Sequence, residues 1–252
     1  MKAILFNSLR EKVRNKSLYI IGAISLLLIT FLMLSGSFTV NNKAVTSFDG
    51  LINIGITLVG FFASILAVMM SIQTIPNEFE RKTTHLVLVR GIKKYEYMLS
   101  LTMSNIITSL IGLGIIYIGI VIFSIVKGRI DMGFRLLLGL GVLGINIVLI
   151  STITSLFSMA MPLFLNGILG IVLYLLGSFH KLLYILSQNM GGFFGTVVKR
   201  ILFIIPNFYS IQREAGKIIY ANSIDFSPIL TQSIFIYLSI GMIILLSSRK
   251  EV

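Results

Sequence analysis

Six apolar runs, each near the length that crosses a bilayer, constrain this chain more than any other feature. They are Leu18–Val40, Leu51–Gln73, Tyr97–Val126, Gly133–Ala160, Pro162–Leu186 and Ile229–Ser247. A helix needs about 20 predominantly apolar residues to traverse the hydrocarbon core. The runs are continuous, not alternating, which excludes the short dyad-patterned strands of a barrel. Only 12% of the 252 residues are charged, about half the usual share of a soluble domain. The expected fold is an all-α polytopic membrane protein with six transmembrane helices in one domain, 1–252.

The charges lie in clusters between these runs. The net charge of +12 would point to nucleic acid in a soluble protein. Beside apolar spans, the same cations read as orientation signals and lipid headgroup contacts. No basic stretch is interleaved with aromatics as in a nucleic-acid groove, so membrane lipid is an expected partner and nucleic acid is not. Residues 1–16 carry Lys2, Arg10, Lys12, Arg14 and Lys16 away from a stripe of Leu5, Leu9 and Val13, the pattern of an interfacial helix. The run that follows is longer than a signal-peptide core. Further cations sit at 81–94 and at Arg249 and Lys250. An even number of spans puts all three clusters, and both termini, in the cytoplasm of a cell-membrane protein. Lys127, Arg129 and Arg135 between the third and fourth spans pull the other way. Residues 187–228 hold an apolar piece too short to cross and then a helix with Arg213, Glu214 and Lys217, which we expect to be external or re-entrant.

The largest charged island runs from Ile75 to Leu101. Its spacing predicts a short helix over 78–90. Asn77 is placed to cap it and Glu80 to close a capping box. Glu78 and Glu80 suit its first turn and Arg90 its last, and Gly91 is a stop. Phe79, Thr83, Leu86 and Arg90 share one face. An apolar stripe on a water-exposed helix calls for a partner groove.

This stretch resembles the coupling region of small ABC-2 type transporter permeases. It reads E-x-E-x-x-T from Glu78 to Thr83, then a Leu-Val-Leu run, then R-x-I-x-K-x-E-Y-x-L from Arg90 to Leu99. Lys82 stands where the family has glycine, and Gly91 where it often has proline. Ile205-Pro206-Asn207-Phe208 is similar to a stretch that recurs before the family's last span. The resemblance implies a permease subunit that works as a dimer, with itself or with a related permease. It also implies two copies of a separate cytoplasmic ATPase that bind the ATP and magnesium. This chain would bind no cofactor and would not be an enzyme by itself. The contacts with the ATPase would be Glu78, Phe79, Glu80, Arg81, Thr83, Leu86, Leu88 and Arg90.

Other patterns carry less. Gly139, Gly141 and Gly144 match G-x-G-x-x-G, but mid-span, where small residues serve helix packing and no strand precedes for a dinucleotide site. The histidines, His85 and His180, have no metal-ligand spacing, cysteine is absent, and no Walker sequence occurs. The spans hold hydroxyls and amides, among them Ser71, Asn105, Thr108, Asn146, Ser151, Thr152, Ser155 and Asn166. Such groups bond neighbouring helices. The alternative is that Asn105, Thr108, Asn146, Thr152 and Asn166 line a cargo cavity. The expected function is outward transport of an amphipathic or apolar cargo (peptide, drug or lipid) by a partner's ATP hydrolysis. The alternatives are a non-transporting immunity or scaffold protein and, further off, an intramembrane enzyme.

Overall fold

The computed structural model describes residues 2–14, 16–34, 38–40, 43–45, 47–80, 92–129, 132–190, 192–221 and 223–249. Lipid offers the backbone no partners, so apolar segments satisfy their amides internally as helices. In order these are α1 (Lys2–Val13), α2 (Lys16–Leu34), α3 (Phe48–Ile72), α4 (Thr74–Glu80), α5 (Lys94–Val126) and α6 (Gly133–Phe157). Then come α7 (Leu163–Ser178), α8 (His180–Met190), α9 (Gly192–Ile204), α10 (Phe208–Tyr220) and α11 (Phe226–Arg249). Between α2 and α3 lies a small antiparallel hairpin of β1 (Phe38–Val40) and β2 (Lys43–Val45), with Phe38 opposite Val45 and Val40 opposite Lys43.

Four helices are long and apolar enough to cross a membrane, and three bent pairs raise the number to seven if each counts as one span. The chain is thus an all-α multi-pass membrane protein. Two of the expected spans are not single straight helices over their whole length. Over the run 18–40 the helix is described to Leu34 and a strand stands at Phe38–Val40, where β-branched Thr39 and Val40 favour it. The run 162–186 breaks after 16 helical residues, about 24 Å of rise, and turns by 67° into α8. The Gly177–Ser178 pair at the bend is a typical kink site, and the polar His180–Lys181 pair draws the chain toward the interface.

The island is also corrected at its start. The helix begins at Thr74, so Asn77 lies inside α4 and not at its cap. Pro76 is tolerated there because the first turn needs no internal N–H partner. The remainder of the expected coupling helix, 81–90, lies outside the described residues.

The centre of the packing is α5 and α6. α5 touches α1, α2, α3, α4, α6 and α11, and α6 also touches α3, α7, α10 and α11. One end of the bundle, here the α1 face, gathers Ile75, Tyr97, Met98, Leu101, Met159 and Ile243 into a small apolar cluster against Ile4. At the opposite end Phe48 and Phe123 stack at 5.7 Å, with Arg129 over one ring and Lys127 over the other. Asn207 caps α10, accepting from Ser210 N at 3.1 Å. The apolar face of α10 (Phe208, Ile211, Ala215, Ile218, Ile219) is buried near that end against α3, α6 and α7. α8 and α9 pair with each other. Their turn includes Gly192 at φ +57°, a left-handed conformation that glycine adopts without strain.

Candidate functional site

Hydroxyl and amide groups on the α1 face assemble into a polar junction beside α4. Ser71, Thr74 and Glu78 recur at helical spacing through the α3–α4 break, so they follow one side. Ser71 Oγ meets Ser151 Oγ of α6 at 2.9 Å. One turn on, Thr74 Oγ1 donates to Asn105 Oδ1 of α5 at 2.7 Å, and Asn105 Nδ2 donates to Ser155 Oγ of α6 at 2.7 Å. Another turn on, Tyr97 Oη of α5 donates to Glu78 Oε2 at 2.5 Å. α1 enters through Lys12, whose Nζ donates to the same Asn105 Oδ1. Asn105 is fully buried, and it joins α1, α4, α5 and α6. Shared hydrogen bonds in a low-dielectric interior strengthen one another and penalise the loss of any member.

Lys12 is the unexpected member. The sequence reading set it apart from the Leu5–Leu9–Val13 stripe. In the structure Ile4, Leu5, Ser8, Leu9, Lys12 and Val13 form the inward side of α1, while Phe6, Asn7, Arg10, Glu11 and Arg14 are exposed. The signal was present: Lys12 follows Leu5 by seven residues and Leu9 by three, which is the same helix face. Burial pushes the Lys12 ammonium down to about 7 from its ordinary 10.5, with Glu11 and Glu78 acting in the opposite direction. The sign of the consequence is fixed by linkage. Between about pH 7 and 10.5, an undocked Lys12 holds a proton that the docked one has released, so docking of α1 strengthens as pH rises through that window. Below it both forms are protonated and the dependence is flat. Hydrogen exchange on α1 in lipid nanodiscs should slow, relative to the intrinsic rate, from pH 7 to pH 9, and Lys12→Met should remove that trend.

The other expected site residues divide. Glu78 belongs to the junction. Phe79 and Glu80 lie on α4 with side chains outside the described set, and Arg81, Thr83, Leu86, Leu88 and Arg90 lie outside the described residues. Of the cavity candidates, Asn105 is the hub. Thr108 Oγ1 and Thr152 Oγ1 donate to carbonyls of their own helices, Ser104 O and Leu149 O. Asn146 Nδ2 ties α6 to Phe208 O at 3.0 Å, and Asn166 Nδ2 ties α7 to Thr154 O at 3.1 Å. All five are buried; the amide nitrogens and hydroxyls are bonded within the helix packing, while Asn146 Oδ1 and Asn166 Oδ1 have no hydrogen-bond partner among the described residues. Thr74 and Tyr97 were missed, because a polar residue at a helix end looks like ordinary interface until its partner is known. Among the described residues no three His, Asp or Glu side chains come together as a metal site.

No protein-family model matches the chain. No curated protein matches it either. The helices themselves establish a multi-pass membrane protein whose α1, α4, α5 and α6 meet at one buried amide.

Proposed function

We propose that the chain is the membrane-spanning permease subunit of an ATP-driven exporter of the ABC-2 type, moving an amphipathic or apolar cargo outward. In this reading α2, α3, α5, α6, α7 and α11 are the six spans, the α1 face is cytoplasmic, and a second permease completes the pathway. A separate ATPase, in two copies, supplies the energy. The observation that carries the reading is the junction at Asn105. The helix that opens the island is bonded through Thr74 and Glu78 to α5, and through Asn105 to α1 and α6. A force applied to α4 by a partner would therefore be passed to α1, α5 and α6 through these side-chain hydrogen bonds.

Discrete two-state elements biased from one site are what mechanical coupling requires. The island would dock through Phe79, Leu86 and Leu88, with Glu78, Glu80, Arg81, Thr83 and Arg90 around them. Truncating an apolar anchor costs about 2 kcal/mol or more at an interface, while a rim charge costs little. In reconstituted complex, Phe79→Ala should lower cargo-stimulated ATP hydrolysis by about thirtyfold and Lys82→Ala by less than about twofold. Affinity purification of the tagged protein should bring down an ATPase with Walker sequences. Cargo movement by the purified chain alone in vesicles, with no ATPase present, would overturn the proposal.

A further inference from the structure

On the side away from α1, a cavity of about 560 Å3 opens where α8, α10 and the start of α11 meet. Its acids are already engaged. Glu214, only 3% exposed, accepts from Lys217 Nζ at 2.6 Å and from Asp225 N at 3.2 Å. Asp225 Oδ1 accepts from Ser227 N at 3.0 Å. The pair Glu214–Lys217 is an i,i+3 ion pair that fixes the floor of the cavity. The cations are not matched in the same way. Lys181 and Arg213 line the cavity with exposed side chains, and among the described residues neither has an acidic partner. Tyr184 stands beside Lys181 on α8.

The surroundings select the kind of ligand. On one flank α8 exposes Leu182, Ile185 and Leu186, and on the other Ile224, Phe226 and Leu230 are exposed. A site with two open cations inside and apolar walls outside is complementary to an amphiphile, with an anionic group at the cations and chains along the walls. Phosphate is the anion that an arginine fork and a lysine ammonium bind best. Tyrosine belongs at the same depth, where headgroups begin.

We infer that this cavity holds the phosphate headgroup of an anionic glycerophospholipid from the leaflet opposite α1, and that the lipid braces the α7–α8 bend against α10. The inference goes beyond transport and requires only that the chain be embedded in a membrane.

The test uses the intact protein in nanodiscs of phosphatidylcholine with graded phosphatidylglycerol, reading lipid retention by native mass spectrometry and the thermal midpoint. Phosphatidylglycerol should be retained in preference to phosphatidylcholine and should raise the midpoint. Each cation near a membrane surface is worth about fivefold in affinity for an anionic lipid. Lys181→Gln with Arg213→Gln should therefore weaken retention about twenty-five-fold, with an unchanged midpoint in pure phosphatidylcholine. If that double variant does not fold, the wild-type preference decides alone, since equal retention of the two lipids overturns the inference. Retention that survives loss of both cations overturns it too. Glycerophosphate in solution giving the full rise in midpoint would assign the site to a soluble phosphate and overturn the lipid.

Discussion

Replacing Asn105 with leucine should lower the thermal midpoint of the purified protein more than any other single polar-to-apolar change in its spans. Leucine has nearly the same size, so the loss is of bonds and not of volume. Three groups lose a partner at once: Lys12 Nζ, Thr74 Oγ1 and Ser155 Oγ. An interhelical hydrogen bond in a membrane is worth roughly 0.6–2 kcal/mol. The Lys12 amine, whose pKa burial holds down to about 7, can shed its proton, so its loss of an acceptor costs what an unsatisfied buried polar group costs, about 1–3 kcal/mol. The Lys12 effect therefore dominates, and it makes two controls informative. Lys12→Met in the Asn105→Leu background should recover part of the loss, because the orphaned amine goes with it. The two changes should be non-additive by about 1–3 kcal/mol in a double-mutant cycle. Thr108→Val, which removes only a bond to its own helix, should cost less than about 1 kcal/mol. Additive single changes, or an Asn105→Leu protein as stable as Thr108→Val, would remove the junction from the account.

That junction also marks where reading the chain as a string succeeds and where it stops. Apolar length revealed the helices, because lipid leaves the backbone no alternative. Ser71, Asn105, Ser151 and Ser155 stood out as polar groups in apolar runs, and bonding between helices was the reading that the buried contacts support. Which helix each would bond was not legible, since partner choice depends on how α3, α5 and α6 pack. Lys12 was misplaced by counting it with the other cations; the helical spacing from Leu5 and Leu9 outweighed its charge. Glu214 was read as part of an external helix. The i,i+3 relation to Lys217 was visible, but its burial required α10 to tuck against α3, α6 and α7. The break at Phe179 was hidden because apolar composition is the same on both sides of a bend. A polar pair at His180–Lys181 within a supposed span was the available sign.

Glycines make the strongest remaining case, because the same substitution should have opposite signs at two sites. Gly177→Ala should destabilise the protein and Gly141→Ala should not. Both glycines lie within helices, α7 and α6, so alanine brings each a propensity gain of up to about 1 kcal/mol. At Gly141 a new Cβ meets nothing within 4 Å, and the gain stands. At Gly177 the Cβ would lie 2.4 Å from Pro206 O and 2.4 Å from Phe208 Cδ2. The carbonyl is backbone and has no rotamer to escape into. Phe208 is fully buried, packed on Tyr174 at 5.4 Å, with its own carbonyl held by Asn146 Nδ2. Relief therefore requires α7 and the start of α10 to separate, and overpacking of this kind costs about 1–3 kcal/mol or more. The net change should be a loss of about 2 kcal/mol at Gly177 and a change between zero and a gain of about 1 kcal/mol at Gly141. Thermal melts in one detergent read both. Gly177→Ala should also expose the α8–α9 pair to protease, because the displaced α10 is a neighbour of α8. A Gly177→Ala protein that melts with wild type would mean that α7 and α10 do not approach as closely as the Pro206–Phe208 contact requires.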